Sequence, residues 1–372
     1  MRFTKKKNVF VCCLLAMVIS TAQAAEFGVL GDDVSLRDST RDDEARFNLG
    51  SLLFHASQKI DDKTTGFVEY IIQSGSHSSS HSDPSMAAYI ARLWIKRNIT
   101  PEFQIGAGQF HSSLGYWTQA YNHGKLTQDT VTRPFFINLR SAKSVFPAHI
   151  LGLKASGAFN ISEGRVSYDL TLANGTSVNT NTSSNPQRLE ENFTKKKTAI
   201  LRTAYHFPVL PIQIGLFGMI NPVVESTASD GSASGSGMAF GTKIIDQTVF
   251  GFDLNVKIKR FNIIAEYFHI TNKDAVGSTG ENTASAYYAQ LGYWLVKNKL
   301  KSIYRYEALE FKEDDLYFQY RNAKEESRHT LALRYDFDVS NALTLEAQRI
   351  SLEDETIADK TAYYLQWAFM VF

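Results

Sequence analysis

Apolar and polar residues alternate along much of this chain with a period of two. Between residues 248 and 259, Phe250, Phe252, Leu254 and Val256 are each followed by a glycine or a polar residue. The same alternation occurs at 165–172 and 330–337, and less regularly at 89–96, 150–156, 199–207, 261–268 and 286–295. Because successive side chains of a strand point to opposite faces, this pattern predicts β-strands with one apolar and one polar face.

Two architectures suit such strands: a soluble sandwich, whose apolar faces meet, and a membrane barrel, whose apolar face contacts lipid. The predicted strands run about 9 to 12 residues, longer than the roughly 5 or 6 of soluble proteins and long enough to cross a bilayer at a tilt. Tyr, Phe and Trp cluster at the strand ends, as in the aromatic girdles of membrane barrels. We therefore predict an all-β fold, a closed antiparallel transmembrane β-barrel.

Sixteen strands are predicted, an even number that suits a closed bacterial barrel. They cover residues 27–37, 45–57, 65–73, 86–97, 102–110, 148–159, 164–173, 197–207, 211–220, 246–258, 260–270, 284–296, 301–310, 327–337, 341–351 and 361–372, of which the first alternates poorly. After the first hairpin, short connections alternate with long ones at 74–85, 111–147, 174–196, 221–245, 271–283, 311–326 and 352–360. Short periplasmic turns and long extracellular loops predict that both termini lie in the periplasm.

The first 24 residues have the three parts of a secretory signal peptide. A positive start is followed by an apolar run from Val9 to Ser20 and by a small-x-small sequence that ends at Ala24, which predicts cleavage there. Residues 25–372 then form a single domain without a linker. Four of the 39 basic residues leave with the signal, so 35 remain against 38 acidic residues; this balance does not suit a nucleic-acid partner. Both cysteines, Cys12 and Cys13, also leave, so we expect neither a disulfide nor a thiolate metal site.

The chain stops at Phe372, at the end of the strand AYYLQWAFMVF. With the signal peptide and the alternating strands, this ending resembles the Gram-negative outer-membrane β-barrel porins, in which the terminal aromatic strand is the signal for the barrel-insertion machinery. The resemblance implies a bacterial outer-membrane location, contact with lipid and lipopolysaccharide, and a homotrimer. Gln366 shares the parity of Tyr364, Met370 and Phe372, so the facing of this last strand stays open.

The longest loop, 111–147, contains the irregular stretch SLGYWTQAYNHGKLTQ. It is the third outer loop by strand count, and it resembles the third loop of general sixteen-stranded porins, which folds into the barrel and narrows the channel. The wider superfamily that includes phosphate-selective porins is similar as well. Rings that pack on the wall, glycines that turn and polar groups that face water suit such a loop. The alternative is an outer lid that leaves selectivity to the wall.

Charged and aromatic residues of the loop, with charged residues of the polar strand face, are the candidates for a constriction that selects solutes. On the loop and its border they are His111, Tyr116, Trp117, His123, Lys125, Arg133, Arg140 and Lys143; on the wall they are Arg92, Lys154, Arg165, Arg202, Arg305 and Arg334. With Arg328, seven basic wall residues face six acidic ones, Asp169, Asp253, Glu266, Glu307, Asp336 and Glu346. The loop then makes the pore slightly positive, which predicts a mild anion preference. The alternative is that most of these charges pair with one another.

Passive diffusion of small hydrophilic solutes through a water-filled channel is the predicted function, without catalysis, cofactor or metal. His77 and His81 could hold a metal, but a serine-rich loop tip is more often solvated. An enzymatic barrel such as a lipid hydrolase is the alternative, with His111 beside Ser112 and Ser113 or His123 beside Asn122. A non-conducting adhesin or assembly barrel is another alternative, and conductance distinguishes it.

Overall fold

The structure is a computed structural model that describes residues 25–38, 45–48, 50–74, 86–121, 124–137, 144–178, 180, 190–226, 241–277, 279–353 and 358–371. The proposed signal peptide, the two histidines of the metal hypothesis, and His123, Arg140, Lys143 and Phe372 lie outside these residues. No helix in the described part of the chain is long and apolar enough to cross a membrane.

Within these described ranges, seventeen strand segments form one sheet. They are β1 Ala25–Asp38, β2 Ala45–Asn48, β3 Ser51–Lys59, β4 Thr64–Ser74, β5 Met86–Thr100, β6 Phe103–His111, β7 His149–Ile161, β8 Gly164–Val178, β9 Glu190–His206, β10 Ile212–Glu225, β11 Lys243–Ile258, β12 Phe261–Asp274, β13 Glu281–Val296, β14 Leu300–Glu310, β15 Glu326–Asp338, β16 Asn341–Leu352 and β17 Lys360–Val371. The all-β prediction is therefore confirmed, and a strand is present at each of the sixteen predicted positions.

Strands that follow one another in the chain pair antiparallel from β3 to β17. Strand β1 pairs antiparallel with β17 and also with β2 and β3. The pairs Ser35 with Asn48 and Asp32 with Ser51 follow the same register. The segments β2 and β3 therefore lie in line along β1, on either side of a short interruption.

The alternation predicted from the sequence separates two faces with different burial. On β13, Ala284, Ala286 and Tyr288 are buried on one face, whereas Leu291 is exposed on the other. On β17, Tyr364, Gln366 and Ala368 are buried, and Tyr363, Leu365 and Trp367 are exposed. This result settles the facing of the last strand, since Gln366 lies on the buried side.

Aromatic side chains pair near the short turns. Examples are Phe261 with Tyr293, at 4.9 Å between ring centroids, and Tyr335 with Phe337, at 5.0 Å. Such pairs add a fraction of a kcal/mol or more each beyond the area they bury. They form partial rows at one border of the apolar surface, as the predicted girdle requires.

Two long connections pack against the buried side of the sheet, which we call the inner face. Loop 3 joins β6 to β7; its described residues, 112–121, 124–137 and 144–148, include helix α1, Gly115–Ala120, and a 3₁₀ turn, Phe135–Ile137. Loop 7, residues 311–325, joins β14 to β15 and contains helix α2, Leu316–Tyr320. Their aromatic residues and those of β10, β12 and β13 form the largest apolar cluster, so the core lies between the loops and the wall.

The strand ends at the long loops lie further out than predicted. Strand β8 continues to Val178 instead of 173, and β10 continues to Glu225 instead of 220. These extensions are polar or lack alternation. Buried side chains at this end of the sheet hydrogen-bond across strands. Asn221, in the extension of β10, accepts from Thr198 of β9 at 2.7 Å, and Gln247 of β11 donates to Asn272 of β12 at 3.1 Å. Such cross-strand contacts stabilise strands that a period-two apolar signal misses.

Candidate functional site

Loop 3 lies on the inner face, and aromatic rings attach it there. Trp117 is 1% exposed, and its ring meets Tyr288 edge-on at 5.8 Å. Phe136 packs edge-on against Phe268 at 5.7 Å, and Phe146 stacks on the same ring at 4.8 Å. Burying a large aromatic side chain contributes on the order of 2 to 3 kcal/mol. The loop is therefore a packed part of the interior.

Carboxylates of the wall accept backbone N–H groups of loop 3. Glu266 accepts from Trp117 at 2.5 Å, and Glu307 accepts from Phe135 at 2.8 Å. Glu346 accepts from Val131 at 2.7 Å and takes the Thr132 hydroxyl at 2.5 Å. All three carboxylates are buried. Buried backbone N–H groups need hydrogen-bond partners, so these three side chains hold the irregular backbone of the loop in place.

Basic side chains of the wall also bind loop 3. Arg334 donates to the carbonyl of Leu126 at 2.5 Å and also to that of Gln128. Arg305 donates to the Thr130 hydroxyl at 2.8 Å and to the Thr132 carbonyl at 3.0 Å. In addition, Lys301 forms an ion pair with Asp129, the acid of the loop, at 2.6 Å. Residues 126–132 are consequently held by charged groups of β14, β15 and β16.

Glycine is required where helix α1 approaches the wall. Gly115 has φ +74°, and a Cβ there would lie 2.2 Å from Oε2 of Glu266. The carboxylate of Glu266 therefore sits directly below the first turn, where it accepts the Trp117 N–H and the hydroxyl of Tyr288. A side chain at position 115 would pay for the left-handed backbone and displace that carboxylate.

Loop 7 adds a second element to the interior. Tyr317 is buried and donates its hydroxyl to the carbonyl of Val145 in loop 3 at 2.6 Å. Asp315 caps helix α2 through the Tyr317 N–H at 2.9 Å and accepts from Asn272 of β12 at 2.9 Å. Burial raises the pKa of Asp315, and these two hydrogen bonds oppose the rise. Loops 3 and 7 are therefore in direct contact, next to the part of the wall formed by β10 to β15.

The opposite part of the wall, β4 to β9, carries charged side chains on the inner face. Arg92 binds Glu69 through two hydrogen bonds, one of them 3.0 Å long. Lys154 lies 3.3 Å from Asp169, which also accepts from Gln119 of helix α1 at 3.0 Å. Loop 3 and the β7–β8 wall therefore meet through Gln119.

Arg202 and Asp253 form a buried ion pair that spans a strand. Arg202 of β9 donates to both carboxylate oxygens of Asp253 on β11, at 2.9 and 2.7 Å. Gly215 of β10 lies between them, and a Cβ there would lie 2.4 Å from the carboxylate. Each charge would be costly to bury alone, so the absence of a side chain at position 215 permits the pair.

Most of the predicted wall charges are paired. Six of the seven bases have an acidic partner, and the pairs are Arg92 with Glu69, Lys154 with Asp169, Arg202 with Asp253, Arg305 with Glu307, Arg328 with Glu326, and Arg334 with Asp336. Three pairs join different strands and three lie along one strand. Arg165, near the turn after β7, is exposed. The alternative of mutual pairing therefore describes the wall.

The remaining predicted residues lie in three different settings. Tyr116 is half-buried in helix α1, and its ring meets Tyr121 edge-on at 5.8 Å; burial raises the pKa of both phenols, so they stay neutral. Lys125 and Arg133 are half-buried, and Lys125 donates to the Val131 carbonyl at 3.0 Å. His111, at the end of β6, has its ring 5.4 Å from that of His149.

Sequence reasoning did not single out the carboxylates as anchors of the loop. Glu266, Glu307 and Glu346 were expected only as acidic residues of the wall, and Lys301 was not considered. Their polar parity was visible in the sequence, but their partners are more than 100 residues away. Among the described residues, no group of three or more His, Cys, Asp or Glu is arranged to hold a metal ion.

No protein-family model and no curated protein sequence matches this chain significantly. Solved structures do match. The outer membrane channel DcaP of Acinetobacter baumannii aligns with a TM-score of 0.61 at 12% identity, over 94% of this chain and 98% of that one. The anion-selective porin from Comamonas acidovorans aligns at 0.57 and 9% identity, over 93% and 98%. OmpT of Vibrio cholerae, in its trimer form, aligns at 0.57 and 10% identity, over 94% and 100%. The chain has the fold of bacterial outer-membrane porins and channels.

Proposed function

We propose that this protein is an outer-membrane porin that lets small hydrophilic solutes diffuse passively through a water-filled channel. The observation that carries the proposal is the docking of loop 3 on the inner face by Glu266, Glu307, Glu346, Arg305 and Arg334. A loop held in this way across one side of a barrel narrows the lumen without filling it, as a diffusion channel requires.

The sheet closes into a barrel of sixteen strands in this proposal. Pairing of β1 with β17 on one side and with β2 and β3 on the other joins the two ends of the strand order. Since β2 and β3 lie in one register, they count as a single strand. An even number with both termini on the side of the short turns is the arrangement of bacterial outer-membrane barrels.

Location in the outer membrane is supported by the apolar outer face. Large apolar side chains are exposed there on strand after strand, among them Leu153, Leu201, Leu216, Phe250 and Leu331. A continuous exposed surface of this kind would be unfavourable in water and suits lipid. Signal cleavage near Ala24, contact with lipopolysaccharide, and use of the C-terminal strand ending at Phe372 by the insertion machinery belong to the same proposal.

In this proposal, the solute passage runs between loop 3 and the wall formed by β4 to β9. Loop 7 lies on the side of loop 3 that faces away from the passage. The predicted constriction residues Tyr116, Lys125, Arg92 and Lys154 then border it. A mild anion preference is proposed because Lys96 and Arg165 of this wall have no acidic partner within 4.0 Å among the described residues, whereas Arg92, Lys154 and Arg202 are paired. The fold is also shared with a porin named as anion-selective. A homotrimer is proposed as well, since OmpT of Vibrio cholerae with the same fold has a trimer form.

Planar-bilayer recording of the purified protein tests the proposal. We expect stepwise conductance, with a reversal potential in a salt gradient on the anion side. Deleting residues 113–128 should increase the unitary conductance, because that stretch contributes helix α1 and the start of the docked segment. Absence of steps in protein shown to be folded would reject the channel, and a deletion without effect would reject the constriction.

An enzyme remains the second candidate, with Ser112 and Ser113 beside His111 as the hypothetical nucleophiles. Both serines lie at the start of loop 3 and are fully buried, and Ser112 accepts the Leu114 N–H at 3.3 Å. A nucleophile must be reachable by its substrate, so the geometry favours the channel. Hydrolysis of a chromogenic lipid ester by the wild type, lost in Ser113→Ala, would reverse this preference.

A further inference from the structure

Two lysines face each other across a glycine on the inner face of the proposed passage. Lys96 of β5 pairs in register with Gly106 of β6, and Gly106 pairs with Lys154 of β7. Because adjacent strands lie about 4.8 Å apart, the two lysines start roughly 10 Å from each other with no side chain between them. Both ammonium groups lie around one ring, at 5.9 and 6.0 Å from the centroid of Phe110.

The cross-strand pairs two residues further along these strands also contain glycines, which carry no side chain. Trp94 pairs with Gly108, and Gly108 pairs with Gly152. A Cβ at Gly106 would lie 2.9 Å from Cγ of Lys96, and one at Gly108 would lie 3.0 Å from Cβ of Trp94. The glycines therefore allow the side chains of β5 to lie flat over β6. The Gly106-Ala107-Gly108 segment, which has no nucleotide-binding context in the sequence, has a structural role here.

The ammonium group of Lys96 contacts aromatic rings and, among the described residues, has no acidic partner. Its ammonium lies 4.2 Å from the centroid of the Trp94 ring, which stacks on Phe67 at 5.0 Å. Within the described part of the chain, no carboxylate lies within 4.0 Å of this ammonium. Cation–π contacts position a cation without neutralising it. Its basic neighbours, by contrast, are paired, Lys154 with Asp169 and Arg92 with Glu69.

We propose that Lys96, with Lys154 across Gly106, forms a binding subsite for small organic monocarboxylates on the wall of the channel. The proposal rests on the channel function proposed above. Because Lys96 has no acidic partner in the part of the chain that the structure describes, its ammonium can neutralise one ligand carboxylate. The Lys154 ammonium, across Gly106, can donate to the second oxygen of the same carboxylate. Half-buried Trp94 beside Lys96 offers apolar contact to the carbon end of the ligand.

The test is unitary conductance measured against the concentration of potassium acetate, with potassium chloride and potassium sulfate as reference salts. In the wild type, we expect the acetate conductance to saturate. Lys96→Gln should raise the half-saturating concentration about tenfold, the size expected for losing one charge-assisted hydrogen bond. Lys96→Arg should keep saturation, because it keeps the charge. Lys273→Gln, which removes an exposed lysine at the far end of β12, is the matched control and should resemble the wild type.

A second variant changes the glycine between the two lysines and leaves the charge of the subsite unchanged. Gly106→Val places a side chain between the two lysines and should weaken acetate saturation as Lys96→Gln does, provided that heat-modifiable gel mobility shows a folded barrel. Channels with equal acetate saturation in the wild type and in Lys96→Gln would overturn the subsite while leaving the porin intact. Saturation by sulfate at lower concentration than by acetate would overturn the monocarboxylate assignment. A folded protein without any channels would reject the porin itself.

Discussion

Glu346 on β16 accepts the backbone N–H of Val131 at 2.7 Å, although the two residues are 215 positions apart in the chain. The same carboxylate takes the hydroxyl of Thr132. One buried acid thus satisfies polar groups of a loop that has little regular hydrogen bonding of its own in this segment. Satisfying buried backbone groups is obligatory for a stable interior, so the wall carboxylates determine where loop 3 lies.

Neutralising that carboxylate should loosen loop 3. In Glu346→Gln, one acceptor oxygen becomes a donor directed at the same N–H and hydroxyl groups, which should cost about 1 to 3 kcal/mol. We expect faster proteolysis of loop 3 and more frequent fluctuations of the open-channel current. Glu163→Gln, in the exposed turn between β7 and β8, should leave both unchanged. Equal proteolysis of the two variants would contradict the anchoring role.

The Arg202–Asp253 pair should show strong coupling. Arg202→Met leaves a buried carboxylate without its partner, which should cost about 3 to 5 kcal/mol. Replacing both residues, as Arg202→Met with Asp253→Leu, should recover much of this loss, because no unpaired charge is then buried. Urea unfolding of the wild type, of the two single variants Arg202→Met and Asp253→Leu, and of the double variant in detergent micelles measures the coupling energy. If the double variant lost as much free energy of unfolding as the two single variants together, the two residues would not be energetically coupled.

Two glycines with positive φ provide a matched comparison. Gly115 has φ +74° and no room for a Cβ, whereas Gly277 has φ +87° with nothing within 4 Å. Gly277→Ala should cost only about 1 to 2 kcal/mol of backbone strain. Gly115→Ala should cost more and should also disturb loop 3, since Glu266 must move. The readouts are the unfolding midpoint and the proteolysis of loop 3, and similar behaviour of both variants would count against the close packing of Glu266 below helix α1.

Fluorescence can distinguish the two faces of the sheet. Trp367 is 46% exposed on the outer face, and Trp117, in helix α1 of loop 3, is 1% exposed on the inner face. In single-tryptophan variants placed in bilayers with brominated acyl chains, Trp367 should be strongly quenched and Trp117 should not. Acrylamide should quench Trp117 weakly as well. Strong lipid quenching at Trp117 would mean that the inner face has been assigned to the wrong side.

The strands were predictable because one physical rule acts on each of them locally. A strand with lipid or another apolar medium on one side must alternate, and the alternation around Phe250 and Phe252 or around Leu331 and Leu333 is visible in the sequence. The outer ends of β8 and β10 were missed. Their stability comes from side-chain hydrogen bonds such as Thr198 to Asn221, which connect segments 23 residues apart.

The candidate site was predictable in part. The composition of SLGYWTQAYNHGKLTQ predicts rings that pack on the wall, and Trp117 does so. Arg92, Arg202 and Arg334 could be assigned to the polar face by parity. Their pairing could not, because a positive side chain on that face looks the same in sequence whether it meets an acid or water. Lys96 was missed for the same reason, since its neighbours Gly106 and Lys154 are brought level with it only by strand register.

The amino-acid sequence by itself determined the class of this protein: a chain of alternating strands joined in turn by short and long connections. Tertiary structure alone decided which side chains hold loop 3 in the interior, which charges neutralise each other and that Lys96 of the inner face has no acidic partner among the described residues. The physical reason is the distance along the chain over which each interaction acts. Alternation arises from neighbours two positions apart, whereas the hydrogen bond from Val131 to Glu346 spans 215 positions and exists only once every intervening strand is in register.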